Sequence, residues 1–195
     1  MGNGSEKWRV FIAIEIPKEI RQRIAQHIAS LRDEAPDVRA SWNREENVHL
    51  TVKFLGDVPI NRLEVLSRAA KHSAQNLSSF PVSIEGCGAF PDHGSPGVLW
   101  IGIEDPAGAL NRLYDSLEEN CARAGFPREE RRFNPHLTIA RLRQPQGARR
   151  LADLHQQKGF EKAVFLASDL LLVRSELSSN GSRYTTLARH AFVAC

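Results

Sequence analysis

Two short stretches carry the residues best suited to chemistry, and they are near copies. Asn47-Val48-His49-Leu50-Thr51-Val52 is answered by Asn134-Pro135-His136-Leu137-Thr138-Ile139, at a constant offset of 136 − 49 = 87 residues. An imidazole gives or takes a proton near neutral pH, so two of them form an acid–base pair without further help. A threonine hydroxyl two residues along donates to a phosphate oxygen. An acid and a base on either side of one phosphodiester could cleave it with no metal. One isolated H-x-T would be a polar strand face and nothing more; a second copy in the same local context turns the reading towards function.

Each copy is short, apolar and β-branched, which predicts a strand. Side chains alternate across a strand, so His49 and Thr51 share one face and Val48, Leu50 and Val52 the other. His136 and Thr138 lie likewise opposite Leu137 and Ile139. Alternation also sets Lys53 on the His49 face, where it would steer phosphate. It sets Arg141 with Leu137 and Ile139, away from His136, unless the strand bends near Ala140.

The surrounding elements repeat as well. Residues 8–16 predict a strand with Val10, Ile12, Ile14 and Ile16 on one face and Phe11 and Ala13 on the other. Phe11 is thereby a candidate cleft residue that could stack on a base. Pro17 fits a first helical turn, and Ile20, Ile24, Ile28 and Leu31 follow at helical spacing. After the first motif, Asn61 is a candidate cap for a helix with the stripe Leu63, Leu66, Ala70, Ala74 and Leu77. Residues 81–90 predict a strand. The pattern restarts with a strand over 98–103, a helix with Leu110, Leu113, Leu117 and Cys121, the second motif, and a helix over 149–157. A strand over 164–173 and a last strand over 184–193 flank the turn Ser178-Ser179-Asn180-Gly181-Ser182. Each half reads strand, helix, motif strand, helix, strand. The fold class is therefore α+β: two pseudo-symmetric lobes, each a mostly antiparallel sheet with helices on its outer face, and an active cleft between them. The whole chain, 1–195, is expected to form a single bilobed domain, with residues 1–7 a flexible tail.

With 42% hydrophobic and 25% charged residues in 195, the composition is that of a globular protein with a sizeable core. No apolar run reaches a membrane span, and the polar start lacks a signal-peptide core, so a cytoplasmic protein with no membrane partner is expected. Cys87, Cys121 and Cys195 are odd in number and lack a C-x-x-C pair, which argues against a disulfide framework or a zinc site. No cofactor and no metal are expected. A net charge of +3 is modest. Arg128, Arg131, Arg132, Arg141, Arg143, Arg149 and Arg150 nevertheless crowd around the second motif, and arginine suits phosphate. Trp42, Trp100 and Tyr184 read as packing residues, and His27, His72, His93, His155 and His190 as surface or structural.

The paired H-x-T motifs resemble those of the 2H phosphoesterases. Arg9 to Ile14 (RVFIAI), His49 to Gly56 (HLTVKFLG), Val98 to Trp100 and Phe133 to Arg141 (FNPHLTIAR) are similar, in this order, to the branch of RNA 2′,3′-cyclic phosphodiesterases, also described as 2′–5′ RNA ligases. The resemblance implies that the terminal segments share one lobe and the middle of the chain builds the other. It implies His49 as proton donor and His136 as proton acceptor, an assignment that the pseudo-symmetry of the motifs leaves open. It also implies a phosphate-binding role for Arg141, with Thr51 and Thr138 as phosphate donors. The expected reaction is hydrolysis of RNA 2′,3′-cyclic phosphate ends to 2′-phosphomonoesters, reversible to 2′–5′ ligation, by a monomer whose partner is such an RNA end. The alternatives are a 2H enzyme for small cyclic nucleotides or 2′–5′ oligoadenylates, and a non-catalytic RNA-end-binding module. Binding alone would favour permanent cations over paired histidines, which disfavours the last.

Overall fold

The structure, a computed structural model, describes residues 6–178 and 181–193. In chain order the elements are β1 (Lys7–Glu15), α1 (Lys18–Glu34), β2 (Ala40–Trp42), β3 (His49–Pro59), α2 (Leu63–Gln75), β4 (Phe80–Phe90), β5 (Val98–Glu104), α3 (Ala109–Arg123), β6 (His136–Leu142), α4 (Ala148–Lys158), β7 (Ala163–Ala167), β8 (Asp169–Ser178) and β9 (Gly181–Ala191). They form two antiparallel sheets, ordered β3-β1-β8-β9 and β2-β6-β5-β4-β7. With β2 set aside, the sheets match strand for strand: β3 answers β6, β1 answers β5, β8 answers β4 and β9 answers β7. The first sheet is built from the two ends of the chain and the second from its middle, as expected.

The helices bury the stripes read from the sequence. Ile20, Ile24, Ile28 and Leu31 of α1 are buried, as are Leu110, Leu113, Leu117 and Cys121 of α3. Each such Ile or Leu side chain contributes about 1.5–3 kcal/mol by leaving water. The helices pair across the chain order. α2 and α3 pack together on the four-stranded sheet, while α1 lies beside α4, which packs on β4. The start of α1 shares a surface hollow with Phe165 and Leu166 of β7. So α1 leaves a strand of one sheet and covers the other.

Several boundaries differ from expectation. Of the expected tail, residues 1–5 lie outside the described residues, while Lys7 opens β1 and the Glu6 carbonyl accepts the Ile60 amide. Pro17 is the residue before α1 rather than its first turn, and its carbonyl accepts the amides of Ile20 and Arg21. Asn61 does not cap α2; it lies in a 3-10 turn, and Arg62 precedes the helix without a side-chain cap. The single strand expected over 164–173 is two, β7 and β8, separated by Ser168 and belonging to different sheets. Of the turn between β8 and β9, Ser179 and Asn180 lie outside the described residues; the flanking pair Ser178 and Gly181 closes an antiparallel hairpin. No helix among the described residues is long and apolar enough to cross a membrane.

Candidate active site

The two motif strands carry the same irregularity. Along β3 the partners on β1 run Ala13 with Thr51 and then Ile12 with Lys53, so Val52 is an extra, unpaired residue. Along β6 the partners on β5 run Trp100 with Thr138 and then Leu99 with Ala140, so Ile139 is extra. A bulge of this kind inverts the alternation beyond it. The two bulges are 139 − 52 = 87 residues apart, the offset of the motifs.

The inversion decides what lies in the cleft. Arg141 turns onto the face of His136 and Thr138, by the bend that its expected role required. Lys53 moves the other way. It is 3% exposed, and its ammonium donates to Glu118 Oε1 at 2.5 Å and to the Pro127 carbonyl at 3.0 Å. Its expected place on the His49 face is thus corrected: it ties β3 to α3 beneath the cleft. Phe54, the positional equivalent of Arg141 in the first lobe, takes the vacated face. It is 47% exposed, and the Arg9 guanidinium lies 4.8 Å from its ring centre.

The faces so defined enclose one cleft of about 660 Å³. His49, Thr51, His136, Thr138, Arg141 and Phe11 all line it, together with Arg9, Trp42, Asn43, Phe54, Arg143 and Tyr184. No Asp, Glu or Cys is among the described residues of its lining.

Both imidazoles are held in the same way. His49 Nδ1 is 2.7 Å from the Asn47 carbonyl, and His136 Nδ1 is 2.7 Å from the Asn134 carbonyl. A carbonyl only accepts, so each Nδ1 carries its proton and each Nε2 is left for proton exchange. This is what the shared Asn at the head of both motifs builds, through its backbone. Asn47 is itself fixed, buried, by donation from its amide to the Ser182 carbonyl at 2.8 Å. Asn43 performs a similar service for the second motif, its side chain donating to the Thr138 carbonyl and its backbone amide to that of Ile139.

The supports behind the rings differ. The Phe11 ring stacks on His49 at 4.5 Å between centres, and Tyr184 meets it edge-on at 5.1 Å. Phe11 is 3% exposed, so it backs the imidazole and leaves no open face for a base, which corrects its expected role as a stacking platform. Burial pushes the His49 pKa down to about 4, against a smaller opposing effect of its bond to Asn47. His49 is therefore neutral in the empty cleft at neutral pH. Phe90 stands edge-on to His136 at 5.3 Å and packs on Trp100. Gly88 lets that indole lie flat on β4, since a Cβ there would come within 2.1 Å of it.

The arginine cluster expected around the second motif does not form one patch. Arg131 pairs with Glu129, Arg150 with Asp37, and Arg149 donates to the carbonyls of Asp92 and Gly94. Arg141 and Arg143 reach the cleft from that set, and Arg9 and Arg44 join them from elsewhere in the chain. Sequence reasoning missed Arg9 and Phe54 and read Trp42 and Tyr184 as packing. The alternation within β1 does put Arg9 on the face of Phe11, so that signal was available.

A sequence profile described as the 2′-5′ RNA ligase superfamily matches residues 16–178. The RNA 2′,3′-cyclic phosphodiesterase of Methanothermobacter thermautotrophicus is 31% identical over 184 residues, covering 93% of this chain and 97% of the relative. That of Archaeoglobus fulgidus is 32% identical over 180 residues, covering 92% and 97%. Among solved structures, Escherichia coli LigT complexed with 3′-AMP superposes with a TM-score of 0.75 at 27% identity, over 96% of this chain and 99% of that one. TT0787 of Thermus thermophilus superposes with a TM-score of 0.77 at 25% identity, over 94% and 97%. The chain, with its two motif strands facing one cleft, belongs to the 2′-5′ RNA ligase superfamily of 2H phosphoesterases.

Proposed function

We propose that this protein hydrolyses RNA ends carrying a 2′,3′-cyclic phosphate to 2′-phosphomonoesters, with His49 and His136 as its acid and base. The observation that carries the reading is the matched tethering of the two rings, each Nδ1 on the carbonyl two residues back and each ring at the edge of the same cleft. The phosphate sits between them, with the hydroxyls of Thr51 and Thr138 and the Arg141 guanidinium as donors to its oxygens. His136 Nε2 takes a proton from the attacking water as the water oxygen bonds to phosphorus. The bond from phosphorus to the 3′ oxygen breaks, and His49 Nε2 delivers its proton to that oxygen. The 2′ ester bond remains. With a 5′-hydroxyl RNA end attacking in place of water, the same steps run as 2′–5′ ligation.

His49 is neutral in the empty cleft, so its role as donor requires the substrate to charge it. A phosphodiester anion beside the ring opposes the effect of burial and favours the imidazolium. Imidazole, hydroxyl and guanidinium groups are among the donors that line the cleft, a set suited to a phosphate and its proton transfers without a metal. The cleft is complete within one bilobed chain, which supports a monomer acting alone, and free RNA ends are expected in the cytoplasm.

The test is incubation with an oligonucleotide ending in a 2′,3′-cyclic phosphate, the product position being assigned by phosphorus NMR. A 2′-phosphomonoester is expected. A 3′-phosphomonoester would mean the other ester bond breaks, and binding without turnover would reduce the protein to an RNA-end-binding module. A panel running from mononucleotide cyclic phosphates and 2′–5′ oligoadenylates to longer RNA separates the enzyme readings.

A further inference from the structure

Away from the cleft, on the helix side of the five-stranded sheet, three side chains remote in sequence converge. His27 comes from α1, Cys87 from β4 and His155 from α4, and one potential ligand atom of each lies within 4.8 Å of the other two. His155 is fully buried. Its Nε2 is 2.9 Å from the Trp100 carbonyl, so Nε2 carries the proton and Nδ1 presents a lone pair. That lone pair accepts the proton carried by His27 Nε2, 2.9 Å away.

We propose that His27, Cys87 and His155 form a binding site for a divalent, thiophilic cation of the zinc type, which clips α1, β4 and α4 together. The ligand set, two imidazole nitrogens and one sulfur, suits such an ion. A histidine whose second nitrogen donates to a backbone carbonyl is the usual orientation of a zinc ligand, and His155 already has it. Ordinary zinc–nitrogen bonds in a tetrahedron hold two nitrogens about 3.3 Å apart, so the two rings must separate by only a few tenths of an ångström. The thiol rotates towards them. His155 Nδ1 is ready to coordinate, His27 Nε2 does so once its proton has moved by exchange with solvent to Nδ1, and the metal displaces the thiol proton, which leaves to solvent as the sulfur–metal bond forms. A water completes the tetrahedron from the half-exposed side of His27. Lys158 lies on that side, but its charge is matched by its ion pair with Glu34.

This site would be separate from catalysis, and binding is the readout. Tag-free protein stripped of metal is titrated with Co²⁺ and, in parallel, its Tm is followed in Zn²⁺. One equivalent of Co²⁺ should produce tetrahedral visible bands and a sulfur-to-cobalt charge-transfer band in the near ultraviolet. Saturating Zn²⁺ should raise Tm by about 3 °C or more. Cys87→Ser and His27→Gln should each abolish the charge-transfer band and the Tm rise while turning over cyclic phosphate as the parent does. Cys195→Ser and His49→Ala should keep both signals. Absence of the band in the parent overturns the site, as does a Tm rise that Cys87→Ser retains. Loss of the signals in His49→Ala instead would move the metal to the cleft and also overturn it.

Discussion

The two histidines have one chemistry and different surroundings, and that difference is testable residue by residue. His49→Ala and His136→Ala should each reduce turnover of a cyclic phosphate by roughly 10²–10⁴-fold, the worth of a positioned acid or base. Circular dichroism and Tm should change little in the His136 variant, whose ring is half-exposed at the cleft. A folded variant that keeps the parent rate would end the paired mechanism. The pH dependence then separates the roles. In the proposed mechanism turnover needs one ring charged and one neutral: at low pH both are charged, at high pH both are neutral, so the rate should rise and then fall. In the empty protein burial holds His49 at about 4, whereas a bound phosphate raises it. The limb that belongs to His49 should therefore lie at higher pH in kcat, which reports the complex, than in kcat/KM, which reports the free enzyme. If His49 is the donor, that limb is the basic one, and His49→Ala removes it. Loss of the acidic limb instead exchanges the two labels. A rate that climbs steadily to alkaline pH contradicts acid–base work by two imidazoles.

At the scale of the element, the bulges at Val52 and Ile139 decide which side chains reach the cleft. Lys53 offers the clearest consequence. Replacing it with Met leaves Glu118 buried, 5% exposed, without its cation, although Glu118 Oε2 keeps the Glu129 amide. Removing one member of a buried pair costs about 3–5 kcal/mol. Urea unfolding of Lys53→Met should show that loss, a second change of Glu118 to Leu should recover much of it, and kcat of the folded single variant should stay within about threefold of the parent. A larger fall in kcat would return Lys53 to the cleft. The same bulges mark how far the strand was readable beforehand. His49, Thr51, His136 and Thr138 precede the extra residue, so simple alternation set them on the right face. Lys53, Phe54 and Arg141 follow it, and one unpaired residue reverses the side chains beyond it, in β3 as far as a second unpaired residue at Leu55. Nothing in VKF or IAR announces a bulge; the misfit of an arginine with a phosphate role on an apolar face was the single hint. Ser168 is a comparable case. One residue without glycine or proline separates β7 from β8, so the apolar run read as one strand. The Phe11 ring was legible as a cleft residue but not as the backing of His49, because the partner that fills its face comes from another strand. The His27–Cys87–His155 cluster was invisible for a like reason: its members come from three elements and share no local spacing.

At the scale of the whole molecule, the two lobes look like a duplication but are not built as two units. The first half of the chain supplies β1 and β3 to one sheet and β2 and β4 to the other. The second half does the same with β8 and β9 against β5, β6 and β7. α1 and α3 each cross from the sheet they follow to the other one, and a single residue, Ser168, links β7 to β8 across the two sheets. If catalysis is free of metal, excess EDTA should leave turnover of a cyclic phosphate within about twofold, even where it strips a metal from His27, Cys87 and His155 and lowers Tm. A loss of turnover restored by one divalent ion would overturn the metal-free mechanism. The interleaving itself makes a further prediction. Unfolding either lobe removes a covering helix and two strand connections from its neighbour, so neither lobe can persist alone, and unfolding should be a single cooperative transition. Trp8 lies in β1 of the four-stranded sheet and Trp100 in β5 of the five-stranded one, so each reports one lobe. With Trp42 replaced by Phe, two proteins retaining only Trp8 or only Trp100 should each unfold in urea in one step. Within each of them, the fluorescence midpoint should coincide with the midpoint from circular dichroism, which averages both lobes. A tryptophan midpoint displaced from the dichroism midpoint in either protein, beyond the error of the fits, would mean that the lobes unfold separately and that the single bilobed unit is two.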